Sequence, residues 1–196
     1  MSSRVSGVLL LVVVGALLAG CGSGSGHTTG TSAGTHPAAA STVLPPCPAQ
    51  PGRPATGTTT LPHLTLSCPG GGRLDLADAP GVPTLVSLWG SWCPPCREEL
   101  PLLQQYAASS GGAVRVIGVI SRDGKPEAES FAEDAGIHFP SAFDGQGELM
   151  AKLGINNLPY TYFLDADGAV TYTQIGPVGS LDQLRSLVSA HLGVAA

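Results

Sequence analysis

The chain has 196 residues, enough for one ordinary domain with appendages. Its formal net charge of −5 argues against a nucleic-acid partner and lends nothing to electrostatic membrane binding. Charged residues make up only 12% of the chain, in part because its N-terminal third is almost uncharged.

Arg4 precedes an apolar run, Val8 to Ala19, that is too short to span a bilayer comfortably. The run ends in Leu18-Ala-Gly-Cys21, which resembles a bacterial lipobox. Residues 1–20 are then a lipoprotein signal peptide, and Cys21 becomes the acylated first residue of the mature chain. Two or three acyl chains anchor stably where one is marginal. The mature protein is therefore expected on the extracytoplasmic face of the cell membrane, where disulfides form and persist. Residues 21–60 are Gly, Ser, Thr, Ala and Pro with little else. Such a segment buries too little surface to offset its ordering entropy, so it reads as a flexible linker with coil dimensions on the order of 35 Å. His27 and His36 fall in it and read as solvated linker residues. The folded domain is expected over 61–196.

Leu61-Pro-His-Leu-Thr-Leu-Ser-Cys68 alternates apolar and polar residues like a half-buried strand, Gly70-Gly-Gly72 turns, and Arg73-Leu-Asp-Leu76 returns. Thr84 to Leu88 is an apolar run suited to a buried strand, broken at Gly90-Ser91. Pro94 to about Ser109 reads as a helix with Leu100, Leu102, Leu103 and Tyr106 as apolar positions, stopped by Gly111-Gly112. Val114 to Ile120 is β-branched almost throughout, as in a central strand buried on both faces. A helix over Lys125–Ala135 follows, closed by Gly136, then a short extended segment over Phe139–Phe143 and a short helix over Glu148–Leu153. Tyr160–Leu164 and Val170–Gln174 form a hairpin through Asp165-Ala-Asp-Gly168, and Ser180 caps a last helix, Leu181–Leu192.

The chemistry sits at the break after the Thr84–Leu88 strand. Cys93 and Cys96, two residues apart at a strand-to-helix turn, have the spacing of a redox-active dithiol. At the helix N-terminus, unpaired N–H groups and the macrodipole stabilise a thiolate on Cys93. Pro94 and Pro95 suit the first helical turn, where a missing N–H is harmless. Cys93 is expected to be the exposed nucleophile and Cys96 the resolving thiol. Among the four cysteines downstream of Cys21 three pairings are open; the simplest in an oxidising compartment is Cys47 with Cys68, with a free or exchanging Cys68 as the alternative.

The stretch Leu88-Trp-Gly-Ser-Trp-Cys-Pro-Pro-Cys-Arg-Glu-Glu-Leu-Pro101, with Gly154-Ile-Asn-Asn-Leu-Pro-Tyr-Thr-Tyr-Phe-Leu-Asp-Ala-Asp-Gly168 far downstream, resembles the TlpA/ResA-like branch of the thioredoxin superfamily over about residues 61–193. The resemblance implies a thioredoxin-like α/β fold, a mixed sheet flanked by helices, with residues 61–76 as an N-terminal β-hairpin extension. It places Pro159 as the cis-proline facing the dithiol and Pro101 at a kink of the first long helix. Trp92, Pro94, Pro95 and Pro159 are the implied substrate-contacting residues; Trp89 is the weaker candidate. Many thioredoxins carry a buried aspartate six residues before the nucleophile. Ser87 stands there in this chain. The proton acceptor for Cys96 is thus unassigned, and Glu98 and Glu99 read as early-helix acids that complement the dipole.

The activity implied is thiol–disulfide exchange with exported proteins, with no cofactor and no metal. A CcdA/DsbD-type membrane protein is the implied electron donor, and apocytochrome c cysteines are one implied target. The same dithiol also serves an oxidase that donates disulfides, since potential and not residue identity sets direction. A copper-binding module of the related Sco type expects three residues between the cysteines and a placed histidine, whereas His138 and His191 have no motif around them.

Overall fold

The computed structural model describes residues 42–195. Residues 1–20, Cys21, His27 and His36 lie outside the described residues, as does the first half of the expected linker. Among the described residues, no helix is long and apolar enough to cross a membrane.

Among the described residues, seven strands form one sheet: β1 (Thr65–Ser67), β2 (Arg73–Asp75), β3 (Thr84–Trp89), β4 (Arg115–Ser121), β5 (Ser141–Asp144), β6 (Tyr160–Leu164) and β7 (Val170–Ile175), in the order β2-β1-β5-β4-β3-β6-β7. β3, β4 and β5 are parallel, and β6 returns antiparallel beside β3. β3 is fully buried, its Leu85, Val86, Leu88 and Trp89 suiting a strand covered on both faces, with Thr84 and Ser87 buried among them. Four helices among the described residues connect or flank the strands: α1 (Pro94–Ser109), α2 (Lys125–Asp134), α3 (Glu148–Leu153) and α4 (Leu181–Leu192). α1 packs against α4. Phe131 on α2 meets Trp89 with ring centroids 6.1 Å apart. This is the thioredoxin-like α/β arrangement. The N-terminal hairpin is a continuation of the main sheet, because Ser67 of β1 pairs with Phe143 of β5.

Local sequence explains the boundaries. The Ser180 hydroxyl accepts from the Gln183 N–H and starts α4, while Gly193, with φ of 66°, ends it. At the β6–β7 turn the Asp165 carboxylate accepts from the N–H groups of Asp167 and Ala169, each at 2.9 Å. Pro101 lies inside α1, which continues unbroken to Ser109.

The expected linker boundary at residue 60 is too late. The segment from Leu44 to Thr60 lies against the domain as a strap without regular structure. Leu44 is buried, Cys47 is bonded to Cys68 (Cα–Cα 5.4 Å), and the Gln50 side chain brackets the Asp75 backbone, donating to its carbonyl at 2.8 Å and accepting from its N–H at 2.9 Å. Further along, Arg53 pairs with Asp167, and Val170 donates to the Thr59 carbonyl at 2.8 Å. Composition misleads here because one buried leucine, a covalent bond, an ion pair and hydrogen bonds to distant residues hold a strap that is otherwise poor in apolar side chains.

Candidate active site

β3 ends at Trp89, the turn Gly90–Trp92 follows, and Cys93 becomes the N-cap of α1, with proline at both of the next two positions. Cys93 has extended backbone geometry, φ −96° and ψ 103°, and its Sγ accepts from the Cys96 N–H at 3.3 Å. Cys93 and Cys96 are joined as a disulfide with Cα atoms 5.3 Å apart. In this state Cys93 is not exposed: it is 2% accessible and Cys96 is at 0%. The Cys93 sulfur faces the first turn of α1, where it accepts the Cys96 N–H. Around it Trp92 is half exposed, Pro94 exposed and Pro95 partly buried. Trp89, by contrast, is wholly buried core.

Pro159 is buried and follows a cis Leu158–Pro159 bond at the start of β6. The sheet register sets it beside the site: Tyr160, its neighbour, pairs with Leu88 near the end of β3 and with Ile175 on β7. Gly176 donates to the Pro159 carbonyl at 3.1 Å. Ile175 and Trp92, the exposed large apolar residues among the described residues, therefore both lie at the dithiol end of the sheet. Cys47 and Cys68 belong to the strap and the β1–β2 hairpin, several strands from Cys93.

Glu99 is not the solvated early-helix acid that its place in the sequence suggested. It is 1% accessible, its Oε1 accepts from the Val178 N–H at 3.0 Å, and its Oε2 has no protein partner. Burial pushes its carboxyl up to about 7, against the opposing effect of the Val178 hydrogen bond. The signal for this was present. Cys96, Glu99, Leu100 and Leu103 recur at helical spacing, and all four are buried on one face of α1. Ser87 is also buried and its hydroxyl has no protein partner.

A second contact set escaped the sequence altogether. The loop after β4 grips the turn before Cys93: the Ser91 N–H and hydroxyl both donate to Asp123, and Trp92 Nε1 donates to the Ser121 carbonyl at 3.3 Å. Beside this turn runs an open groove of about 460 Å³ bordered by Arg97, Glu127, Phe131 and Asp134. The Arg97 guanidinium lies 4.9 Å from the Phe131 ring centre. No group of three His, Cys, Asp or Glu side chains suited to a metal ion occurs among the described residues. His191 is stacked on Tyr172 at 4.0 Å, and His138 engages Gln104 only through its backbone N–H.

A vicinal dithiol at a helix N-terminus, on a thioredoxin-like sheet with a cis-proline strand beside it, defines the class of proteins that exchange disulfides through a CxxC pair. The chain belongs to the Redoxin family, whose model matches residues 52–188. It is 32% identical over 132 residues to the thiol-disulfide oxidoreductase ResA of Geobacillus thermodenitrificans, covering 67% of this chain and 76% of that one. It is 32% identical over 112 residues to the thiol:disulfide interchange protein DsbE of Vibrio cholerae, covering 57% of this chain but only 59% of that protein. Among solved structures it is similar to StoA from Bacillus subtilis, with a TM-score of 0.54 at 29% identity, covering 63% of this chain and 94% of that one.

Proposed function

We propose that this protein is a membrane-anchored, extracytoplasmic thiol–disulfide oxidoreductase that exchanges disulfides with exported proteins through Cys93 and Cys96. The observation that carries this is the placing of Cys93 as N-cap of α1, its sulfur accepting the Cys96 N–H. That donor and the helix dipole favour a thiolate on Cys93 in the reduced pair. The Cys93 thiolate attacks one sulfur of a substrate disulfide, a mixed disulfide forms, and the other substrate sulfur leaves as thiolate. Cys96 then loses its proton and attacks the Cys93 sulfur. The Cys93–Cys96 disulfide closes and the second substrate thiolate is released, so two electrons pass to the substrate.

Glu99 suits the role of proton acceptor for Cys96. It lies one turn further along the same buried face, has a free oxygen, and is poised near neutrality, where a group can both take and return a proton. Trp92 and Pro94, with the partly buried Pro95, form the rim for substrate, with Pro159 and the β6–β7 end on the other side. Leu18-Ala-Gly-Cys21 supports lipid attachment at Cys21. Re-reduction falls to a CcdA/DsbD-type membrane protein, and apocytochrome c cysteines are a target consistent with that supply.

The test is trapping. Cys96→Ser retains the attack and loses the release, so it should accumulate dithiothreitol-sensitive mixed disulfides with exported proteins, whereas Cys93→Ser should trap none. Trapping by Cys93→Ser instead would reverse the assigned roles. The potential of the pair against glutathione then fixes direction, values near that of thioredoxin marking a reductase.

A further inference from the structure

The loop that follows β4 is bent in an unusual way. Arg122 has φ of 53° and is the one non-glycine residue with positive φ among the described residues. Ordinary side chains avoid that conformation, and it persists where the surroundings over-determine it. Here the bend sends the groups on both sides of Arg122 to one target. Before it, the Ser121 carbonyl takes the Trp92 indole N–H at 3.3 Å. After it, the Asp123 carboxylate takes both the N–H and the hydroxyl of Ser91, the latter at 3.0 Å, and the Gly124 N–H at 2.9 Å. The loop is also held from behind, since the Arg122 N–H donates to the Asp144 carbonyl at 3.1 Å. The Arg122 side chain lies over Gly147, where a Cβ would come within 2.5 Å of its Cγ.

We propose that Asp123 is a positioning residue for the dithiol, its carboxylate holding the turn ahead of Cys93 and opposing negative charge on the Cys93 sulfur. Two residues of chain span at most about 7 Å, so a carboxylate bonded to the Ser91 N–H is held within a limit on the order of 10 Å of that sulfur. The helix terminus favours the thiolate and Asp123 disfavours it. Destabilising the thiolate raises the free energy of the reduced pair relative to the disulfide, which makes the pair a stronger reductant. Other charges border the turn: Arg122 in the loop, Arg97 on α1, and Glu127 and Asp134 on α2. All of them remain when Asp123 alone is changed. The inference rests on Cys93 being the attacking thiol, and the experiment separates the two.

The experiment measures the alkylation rate of the reduced protein against pH, with peptide mapping of the label, in wild type, Asp123→Asn and Asp123→Glu. Asparagine keeps an acceptor for the Ser91 N–H and removes the charge. For unit charges at that separation, Asp123→Asn should lower the Cys93 pKa by about half a unit to one unit. It should also shift the equilibrium with glutathione toward the dithiol by roughly three- to tenfold above pH 8. Asp123→Glu should stay within about 0.2 units of wild type. A purely structural role would leave the pKa of the folded Asn variant unmoved. Should Asp123→Asn fail to fold, Asp123→Ser, an uncharged acceptor, carries the same expectation. Label on Cys93 with an unshifted or raised pKa in the uncharged variants overturns the proposal alone, as does an equal fall in Asp123→Glu. Label arriving first on Cys96 in wild type overturns the assignment of Cys93 and this proposal together.

Discussion

Glu99→Gln tests the buried carboxyl directly, because glutamine keeps the shape and the acceptor for Val178 and removes the titration. The carboxyl moves from an ordinary 4.5 to about 7 in the folded protein, principally through burial. A carboxyl whose folded pKa is raised keeps its proton in the native state while the unfolded chain has lost it. Stability therefore falls as pH rises from about 4.5 to about 7 and then levels off. At roughly 1.4 kcal/mol per unit, the loss is on the order of 3 kcal/mol. For a domain of this size it corresponds to about 6–12 °C in Tm. Glu99→Gln should match wild type at pH 4 and exceed it by up to that amount at pH 8, less whatever its amide hydrogens lose for want of a partner. The assay is urea or thermal unfolding of the oxidised protein at both pH values. A stability difference that is the same at pH 4 and pH 8 would refute a raised carboxyl at position 99. In exchange assays the same variant should slow release from the mixed disulfide while leaving the first attack intact, which stopped-flow tryptophan fluorescence separates.

Replacing Cys47 and Cys68 together by alanine opens a link between residues 21 apart in sequence, with an expected loss of about 3 kcal/mol in urea unfolding. A loss below about 1 kcal/mol would mean that the strap is held by its hydrogen bonds instead. Gly90→Ala should displace the Trp92 indole, because a Cβ there would lie 2.5 Å from its Nε1. The expected result is a red-shifted Trp92 emission, slower exchange and a stability loss of about 1–3 kcal/mol; unchanged emission would contradict the packing. Cys21→Ala should move the protein from the detergent phase to the aqueous phase on phase partitioning, and retention in detergent would count against lipid attachment at that residue.

The elements were legible in the sequence wherever a local rule decides them. Pro94–Ser109 is bounded by two prolines and a glycine pair, and Leu181–Leu192 by Ser180 and Gly193, so their limits follow from capping chemistry alone. The dithiol was equally legible, since a strand, a break, Cys-Pro-Pro-Cys and a helix place both sulfurs through neighbours a few residues away. Glu99 was half legible, its spacing from Cys96 putting it on the buried face while its chemistry suggested water.

Tertiary structure alone decided the rest, because the deciding contacts join residues distant in the chain. The Leu44–Thr60 strap reads as disordered by composition and is ordered by partners near residues 68, 75 and 167. The raised Glu99 carboxyl depends on its burial in the assembled fold, and the Val178 N–H that opposes the rise comes from 79 residues away. The grip of Asp123 on Ser91 spans 32 residues and follows a left-handed turn at Arg122, just past the end of β4. Local propensity acts over one or two turns of backbone and sets where strands and helices begin and end. The electrostatics of a buried site depend on which distant groups the fold brings within a few ångströms, and only the assembled sheet and helices determine that.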